Sequence, residues 1–297
     1  MYFQLLLAGL LLFSTSMAWG QASSPFSMAL LAKYEQHQAE LQQSTFGAPI
    51  LLNAKIGKKQ AQGEVYALLD TPFEKLSGLL SQPTHWCDVV ILHINIKACT
   101  FAGDQVHVYV GRKHYQTPAR AFPLQYRFQA TADSGDYLSV RLDAPKGPMG
   151  TSDYLITLEA IPLDAQRSFI RFQYQYRFGM MARLAMNTYM ATLGQGKVGF
   201  TVTSTDAEGK PVHVEGLQGV VERNVMRYVI AIQSVLDNGA AANKQLNHVQ
   251  FDQWYETTLK YPRQLAELNR EEYLANKQRE LGNQIMMQQD LGKTAIN

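Results

Sequence analysis

Residues 169–178, FIRFQYQYRF, alternate strictly: Phe172, Tyr174, Tyr176 and Phe178 fall on one side, and Arg171, Gln173, Gln175 and Arg177 on the other. Successive side chains of a strand point to opposite faces, so this stretch predicts a strand with one dry face and one wet face. The period of two extends from residue 89 to 215. In VVILHINIKA it sets Val90, Leu92, Ile94 and Ile96 against His93, Asn95 and Lys97. The segments 106–110, 124–130, 137–142, 153–161, 182–192, 198–204 and 211–215 read the same way. Polar turns at 134–136, 145–150 and 206–211 separate them. Alternation this regular predicts an antiparallel sheet with one face in water.

A dry sheet face needs a cover, and residues 216–238 supply one. Leu217, Val221, Val225, Tyr228, Ile232 and Val235 recur at spacings of three and four, one face of a helix. Val220, Met226, Val229, Ile230 and Leu236 widen that face, leaving a narrow polar strip at Gln218, Glu222, Arg223 and Arg227. Gly239 is a good C-terminal stop. Asn224 falls on the apolar face, where a core helix has no use for an amide.

The rest of the chain fits round these two parts. Leu30, Tyr34, His37 and Leu41 make an amphipathic helix of residues 25–43, with His37 read as a packed side chain. Two strands follow at 49–56 and 62–69. Thr71, Pro72 and Glu74 then predict an N-cap, a first helical residue and a capping box for a helix that stops near Pro83. THWCDV adds a short helical turn that leads into the strand at 89. Beyond the long helix, 238–248 reads as a linker. Residues 250–290 read as one or two polar helices broken at Pro262, and residues 250–297 are expected to be dispensable for folding.

Residues 1–22 are uncharged, with LLLAGLLLF at 5–13 and small residues at Ala18, Gly20 and Ala22. This predicts a secretory signal peptide cut after Gly20 or Ala22, with an uncleaved anchor as the alternative because the first residues lack a positive charge. Cys87 and Cys99 are the only cysteines, and in an oxidising compartment the pair is expected to be bridged. A metal site of His85, Cys87, His93 and Cys99 is the competing reading, at spacings that match no common zinc pattern. The net charge of +2 gives no reason to expect nucleic acid or an anionic surface.

Sequence signals for chemistry are few. GQGKVG at 194–199 matches a dinucleotide fingerprint in letters, but a strand follows it rather than a helix, so a hairpin turn is expected. There is no nucleophile elbow, zinc-protease motif or phosphate loop, and the carboxylates are scattered. His93, His107 and His213 lie in predicted strands and could face a cavity. Met180, Met181, Met186 and Met190 read either as core filling or as a flexible lining for variable apolar ligands.

The element order is helix, two strands, a capped helix with a short second one, a run of antiparallel strands and a long helix. With LLDTPFEKLSGLLSQPTHWCDVV and GLQGVVERNVMRYVIAIQSVL, it resembles the START-type lipid-binding fold of the helix-grip, or polyketide cyclase-like, superfamily over about residues 25–240. The resemblance implies an α+β helix-grip fold, a curved antiparallel sheet wrapped on the long helix, and a hydrophobic molecule held between them. The expected organisation is a signal peptide at 1–22, a ligand-binding domain at 23–240, and a linker with a helical tail at 241–297. The expected function is an exported binding or transfer protein for a lipid or other apolar small molecule, without a cofactor and without nucleic acid. A cyclase- or hydrolase-like enzyme on the same fold and an envelope interaction protein are the alternatives. Asn224, Arg227, Tyr228, Met186, Met190, Tyr174 and Tyr176 are the expected ligand contacts, with Arg227 set to meet an anionic head group. A transient membrane contact and a protein partner through residues 250–297 stay open.

Overall fold

A computed structural model describes residues 24–133, 135–191, 196–239 and 244–294. Helix α1 (Pro25–Gln42) starts at Ser24, whose hydroxyl accepts the Ser27 N–H at 3.1 Å. Strands β1 (Ile50–Ile56) and β2 (Gln60–Leu69), then helices α2 (Phe73–Leu80) and α3 (Pro83–Ile91), lead to the main run of strands. These are β3 (Ile96–Ala102), β4 (Gln105–Val110), β5 (Phe122–Asp133), β6 (Tyr137–Lys146), β7 (Thr151–Pro162) and β8 (Ser168–Phe178). Helix α4 (Met180–Ala191), a hairpin of β9 (Val202–Thr205) and β10 (Pro211–His213), and the long α5 (Gly216–Asn238) follow. Helices α6 (Lys244–Thr258), α7 (Pro262–Leu265) and α8 (Arg270–Thr294) end the described chain.

The main sheet is antiparallel throughout, in the order β1-β2-β8-β7-β6-β5-β4-β3. Its dry face, including Ile156, Leu158, Phe172, Tyr174, Tyr176 and Phe178, packs with α5 in one core. Gly63 on β2 marks the closest approach of α5, because a Cβ there would overlap Val221 and Val225. The outer face carries Arg171, ion-paired to Glu64 at 2.6 Å and Glu159 at 2.9 Å, as the alternation requires. At one end α1 covers that face too, with Leu30 and Leu41 against Tyr66, Ile161 and Phe169. The fold is therefore the α+β helix-grip arrangement, a curved antiparallel sheet closed by a late helix. Gly239 ends α5 with φ +76°, as expected of a stop.

Several local expectations are corrected. Residues 89–91 belong to α3 and not to a strand. Pro83 starts that helix, and Trp86, Val89 and Val90 bury at helical spacing, with the Trp86 indole N–H on the Leu80 carbonyl at 2.8 Å. Val90, Leu92, Ile94 and Ile96 are buried, but so are His93 and Lys97, so the apparent wet face does not exist. Residues 182–191 are helical, in keeping with a segment rich in Ala, Leu and Met. The expected capping box is not formed. Pro72 is the N-cap of α2, and the Thr71 carbonyl instead accepts the Ser168 hydroxyl at 2.7 Å.

Cys87 and Cys99 are joined, tying α3 to β3 with their Cα atoms 5.1 Å apart. The competing metal reading gains nothing, since both sulfurs are bonded and no group of metal-binding side chains occurs among the described residues.

The C-terminal helices pack into the domain. Phe251, Trp254, Tyr255, Leu265, Tyr273 and Leu281 join the main core. Helix α8 lies on the free edge of β3, where Gln284 accepts the Cys99 N–H at 2.8 Å. Gln288 accepts the Phe101 N–H and donates to its carbonyl, both at 2.9 Å. One turn earlier Glu280 is fully buried between Lys97 at 2.6 Å and Lys277 at 2.8 Å. The two ammonium groups also donate to the carbonyls of His93, Ile94 and Ile96. The helix thus supplies partners that a further strand would otherwise supply. No helix among the described residues is long and apolar enough to cross a membrane.

Candidate functional site

Five tyrosines meet between the sheet and α5. Tyr126 comes from β5, Tyr154 from β7, Tyr174 and Tyr176 from β8, and Tyr228 from α5. Their rings interlock: Tyr154 lies 5.2 Å from Tyr176 and 6.1 Å from Tyr174, and Tyr174 lies 5.9 Å from Tyr228. Phe172 and Phe178 extend the wall at 6.0 Å from Tyr228 and 6.1 Å from Tyr176. The Tyr154 hydroxyl shares a hydrogen bond with Thr151 at 2.9 Å. Those of Tyr126, Tyr174, Tyr176 and Tyr228 bond to no described residue and, unlike the buried orphan atoms of the fold, are not sealed from accessible space. Burial, and then the other tyrosines, raise the pKa of all four, so they stay neutral. Tyr174 and Tyr228 nevertheless keep 8% and 9% of their surface accessible, although both lie between sheet and helix.

His93 closes the other side of Tyr228, its ring stacked at 5.0 Å. Its Nδ1 accepts the Asn95 backbone N–H at 3.1 Å, which leaves the ring proton on Nε2. That Nε2 is sealed with no hydrogen-bond partner. Burial, then Arg227 and Lys277, hold the imidazole well below its ordinary range, while a side-chain contact from Asn224 pulls the other way. Asn224 is half-buried on α5, one turn before Tyr228.

The polar strip expected on α5 is enclosed. Glu222 accepts the N–H groups of Phe200 and Thr201 at 2.6 and 2.9 Å, and Arg223 donates to the Val198 carbonyl at 3.1 Å. Arg227, expected to be open to an anionic head group, is 3% exposed and ion-paired to Glu267 at 2.7 Å. Lys197 holds the second oxygen of the same carboxylate at 2.8 Å. Burial opposes ionisation of Glu267, but Arg227 and Lys197 outweigh it and hold its pKa at about 2. The arginine charge is therefore committed within the protein. The tail provides the partner, a contact that no local pattern in α5 could reveal.

Of the expected contacts, Tyr174, Tyr176, Tyr228 and Asn224 come together, and Arg227 stands behind them. The side chains of Met186 and Met190 lie outside the described residues. Tyr126, Tyr154 and His93 complete the cluster. The two tyrosines sit at dry positions of alternating strands and were open to the same reading as Tyr174. His93 sits in a segment misread as a strand. Part of the hairpin expected at 194–199 also lies outside the described residues. A separate groove of about 220 Å³ opens on the surface between α3, β3 and α8. Gln284 and Gln288, which bind the β3 edge, form one wall, and the disulfide lies against it.

Neither a protein-family model nor a curated protein matches the chain. Solved structures do. The chain is similar to a conserved protein of Geobacillus kaustophilus, with TM-score 0.36 and 12% identity over 59% of this chain and 95% of that one. It is similar to truncated norcoclaurine synthase from Thalictrum flavum, with TM-score 0.33 and 11% identity over 47% and 91%. A conserved protein of unknown function from Enterococcus faecalis gives TM-score 0.34 and 7% identity over 75% and 98%. The helix-grip description rests on the sheet order and α5, not on these likenesses.

Proposed function

We propose that this chain is an exported START-like binding or transfer protein that holds a lipid or other hydrophobic small molecule in a chamber between the sheet and α5. The observation that carries the reading is the group of tyrosine hydroxyls without partners at Tyr126, Tyr174, Tyr176 and Tyr228. A hydroxyl sealed in a finished core is hydrogen-bonded, whereas these four bond to no described residue and are not sealed. Hydroxyls left open, on rings that retain accessible surface, suit a space that a guest completes. The wall is aromatic, with a few neutral polar groups at fixed places, the lining expected of a small-molecule site.

Mass spectrometry of gently purified, organically extracted protein tests this. A stoichiometric apolar compound is expected in the wild-type chain, and less of it in Tyr174→Ala. A chain that carries nothing and takes up no 8-anilinonaphthalene-1-sulfonate would remove the reading. Chemical conversion of the bound compound would assign an enzyme in its place.

A further inference from the structure

Three segments meet at the end of the sheet where β8 stops. They are the β1–β2 turn at 57–59, the β6–β7 turn at 147–150, and α4. The Phe178 N–H donates to the Lys59 carbonyl at 3.1 Å, and the Arg183 guanidinium to the Lys58 carbonyl at 3.3 Å. Ala182 packs over Gly150. The tyrosine cluster reaches this end, through Phe178 beside Tyr176 and through Thr151 bound to Tyr154.

The tip presents apolar side chains to water. Met149, Met180, Met181 and Leu184 are 78%, 86%, 76% and 60% exposed. Around them stand the exposed basic residues Lys58, Lys59, Lys146, Arg177 and Arg183. Asp153, the acid beside them, pairs with Arg177 at 3.7 Å. Projecting apolar side chains within a basic rim match an anionic lipid surface, which offers acyl chains to the first and phosphates to the second. The whole chain carries only +2, so attraction of this kind is local to the tip.

We propose that α4 and the two turns dock the protein on an anionic lipid bilayer, at the end of the molecule where the chamber of the preceding section would open. This deepens that reading by naming the surface through which a membrane-derived guest would pass. Docking itself needs no guest, so the two ideas can fail separately.

The native disulfide leaves no free thiol, so Met181→Cys in the full chain can be labelled alone with an environment-sensitive nitrobenzoxadiazole dye. A second chain carries the label at Ala165→Cys, on the β7–β8 turn at the opposite end of the sheet. Vesicles of equal parts phosphatidylcholine and phosphatidylglycerol are then added. A blue shift and intensity rise are expected at position 181 and not at 165. Phosphatidylcholine alone should give a weaker response. Lys58→Glu with Lys59→Glu should weaken the vesicle titration about tenfold or more, since each basic residue near such a surface contributes on the order of one kcal/mol. Reading the label side by side at two sites separates docking by the tip from any attachment through residues 1–22. No shift at 181, or equal shifts at 181 and 165, would overturn the inference. So would a shift at 181 that appears without vesicles and vanishes on dilution, which would assign the surface to a second copy. Vesicle docking by a chain that binds no apolar compound would leave this inference standing and remove the chamber.

Discussion

Asn224 is the one amide on the inward face of α5, half-buried beside His93 and one turn from Tyr228. A buried amide without a partner costs about 1–3 kcal/mol, and Asn224 has the His93 ring beside it as one partner and a guest as the other it could serve. Asn224→Leu is expected to lower retained apolar compound several-fold while moving the melting temperature by only a few degrees. Mass spectrometry and a thermal melt on the same preparation check this, and unchanged compound with a large drop in melting temperature would make Asn224 a plain core residue. The charged residues behind it predict two opposite pH effects. Glu267 has a folded pKa of about 2 against an ordinary 4.5. Its contribution, up to about 3 kcal/mol, is present above the ordinary value and lost as pH falls toward 2. Urea unfolding at about pH 5 and about pH 3 should show that loss, and Glu267→Gln should reduce it. Lys277 is lowered to about 8 by burial, with Glu280 pulling it back up. Because the folded chain gives up that proton first, stability should rise between about pH 8 and the ordinary value near 10.5. Lys277→Met leaves Lys97 and Glu280 as a neutral pair and should shrink the rise, at a cost in overall stability because the buried His93 and Ile96 carbonyls lose their donor. Glu280→Gln strands two buried ammonium groups and should cost about 3–5 kcal/mol.

At the scale of elements, what the sequence disclosed and what it hid have physical reasons. Strand β8 was legible because its odd positions 171–177 face water and its even positions face α5. The α3–β3 segment was not, because it is enclosed on every side and burial erases the alternation that marks a strand. The tail misled in the opposite sense. Lys277, Glu280, Gln284 and Gln288 form a polar stripe on α8 that reads as a wet helix face, yet all four bind the backbone or buried charge of the β3 region. Polar side chains signal water only where no unpaired strand edge competes for them. The expectation that residues 250–297 are dispensable is therefore replaced by its opposite. Truncation after Asn243 should give an insoluble chain or a melt without cooperativity by circular dichroism, since Trp254 and Tyr273 leave the core and the edge of β3 is bared. The disulfide acts in the same neighbourhood. Closing a short loop, it should contribute about 2–3 kcal/mol, read as the stability lost by Cys87→Ala with Cys99→Ala under non-reducing denaturant unfolding.

On the scale of the whole molecule, the two faces of the sheet do different work. The outer face is held by α1 and by surface ion pairs, and the inner face holds the tyrosine cluster. The order of elements was enough to place α5 on the sheet. The partner of Arg227 was not readable from it, because Glu267 lies forty residues away in sequence. Secretion of the chain by a host cell should yield, by intact mass, a product beginning at Gln21 or Ser23. A product retaining residues 1–20 would establish an anchored protein instead. The way α8 closes the β3 edge has a further consequence for how the protein is made. Lys97 and Glu280 are separated by 183 residues, so a chain that emerges from its N-terminus builds the sheet long before the residues that finish its border exist. Throughout that interval the open strand is free to pair with the same strand of another nascent copy. Synthesis thus has a vulnerable period that lasts until α8 has been made, and a ribosome that stalls shortly before it releases a product primed to aggregate.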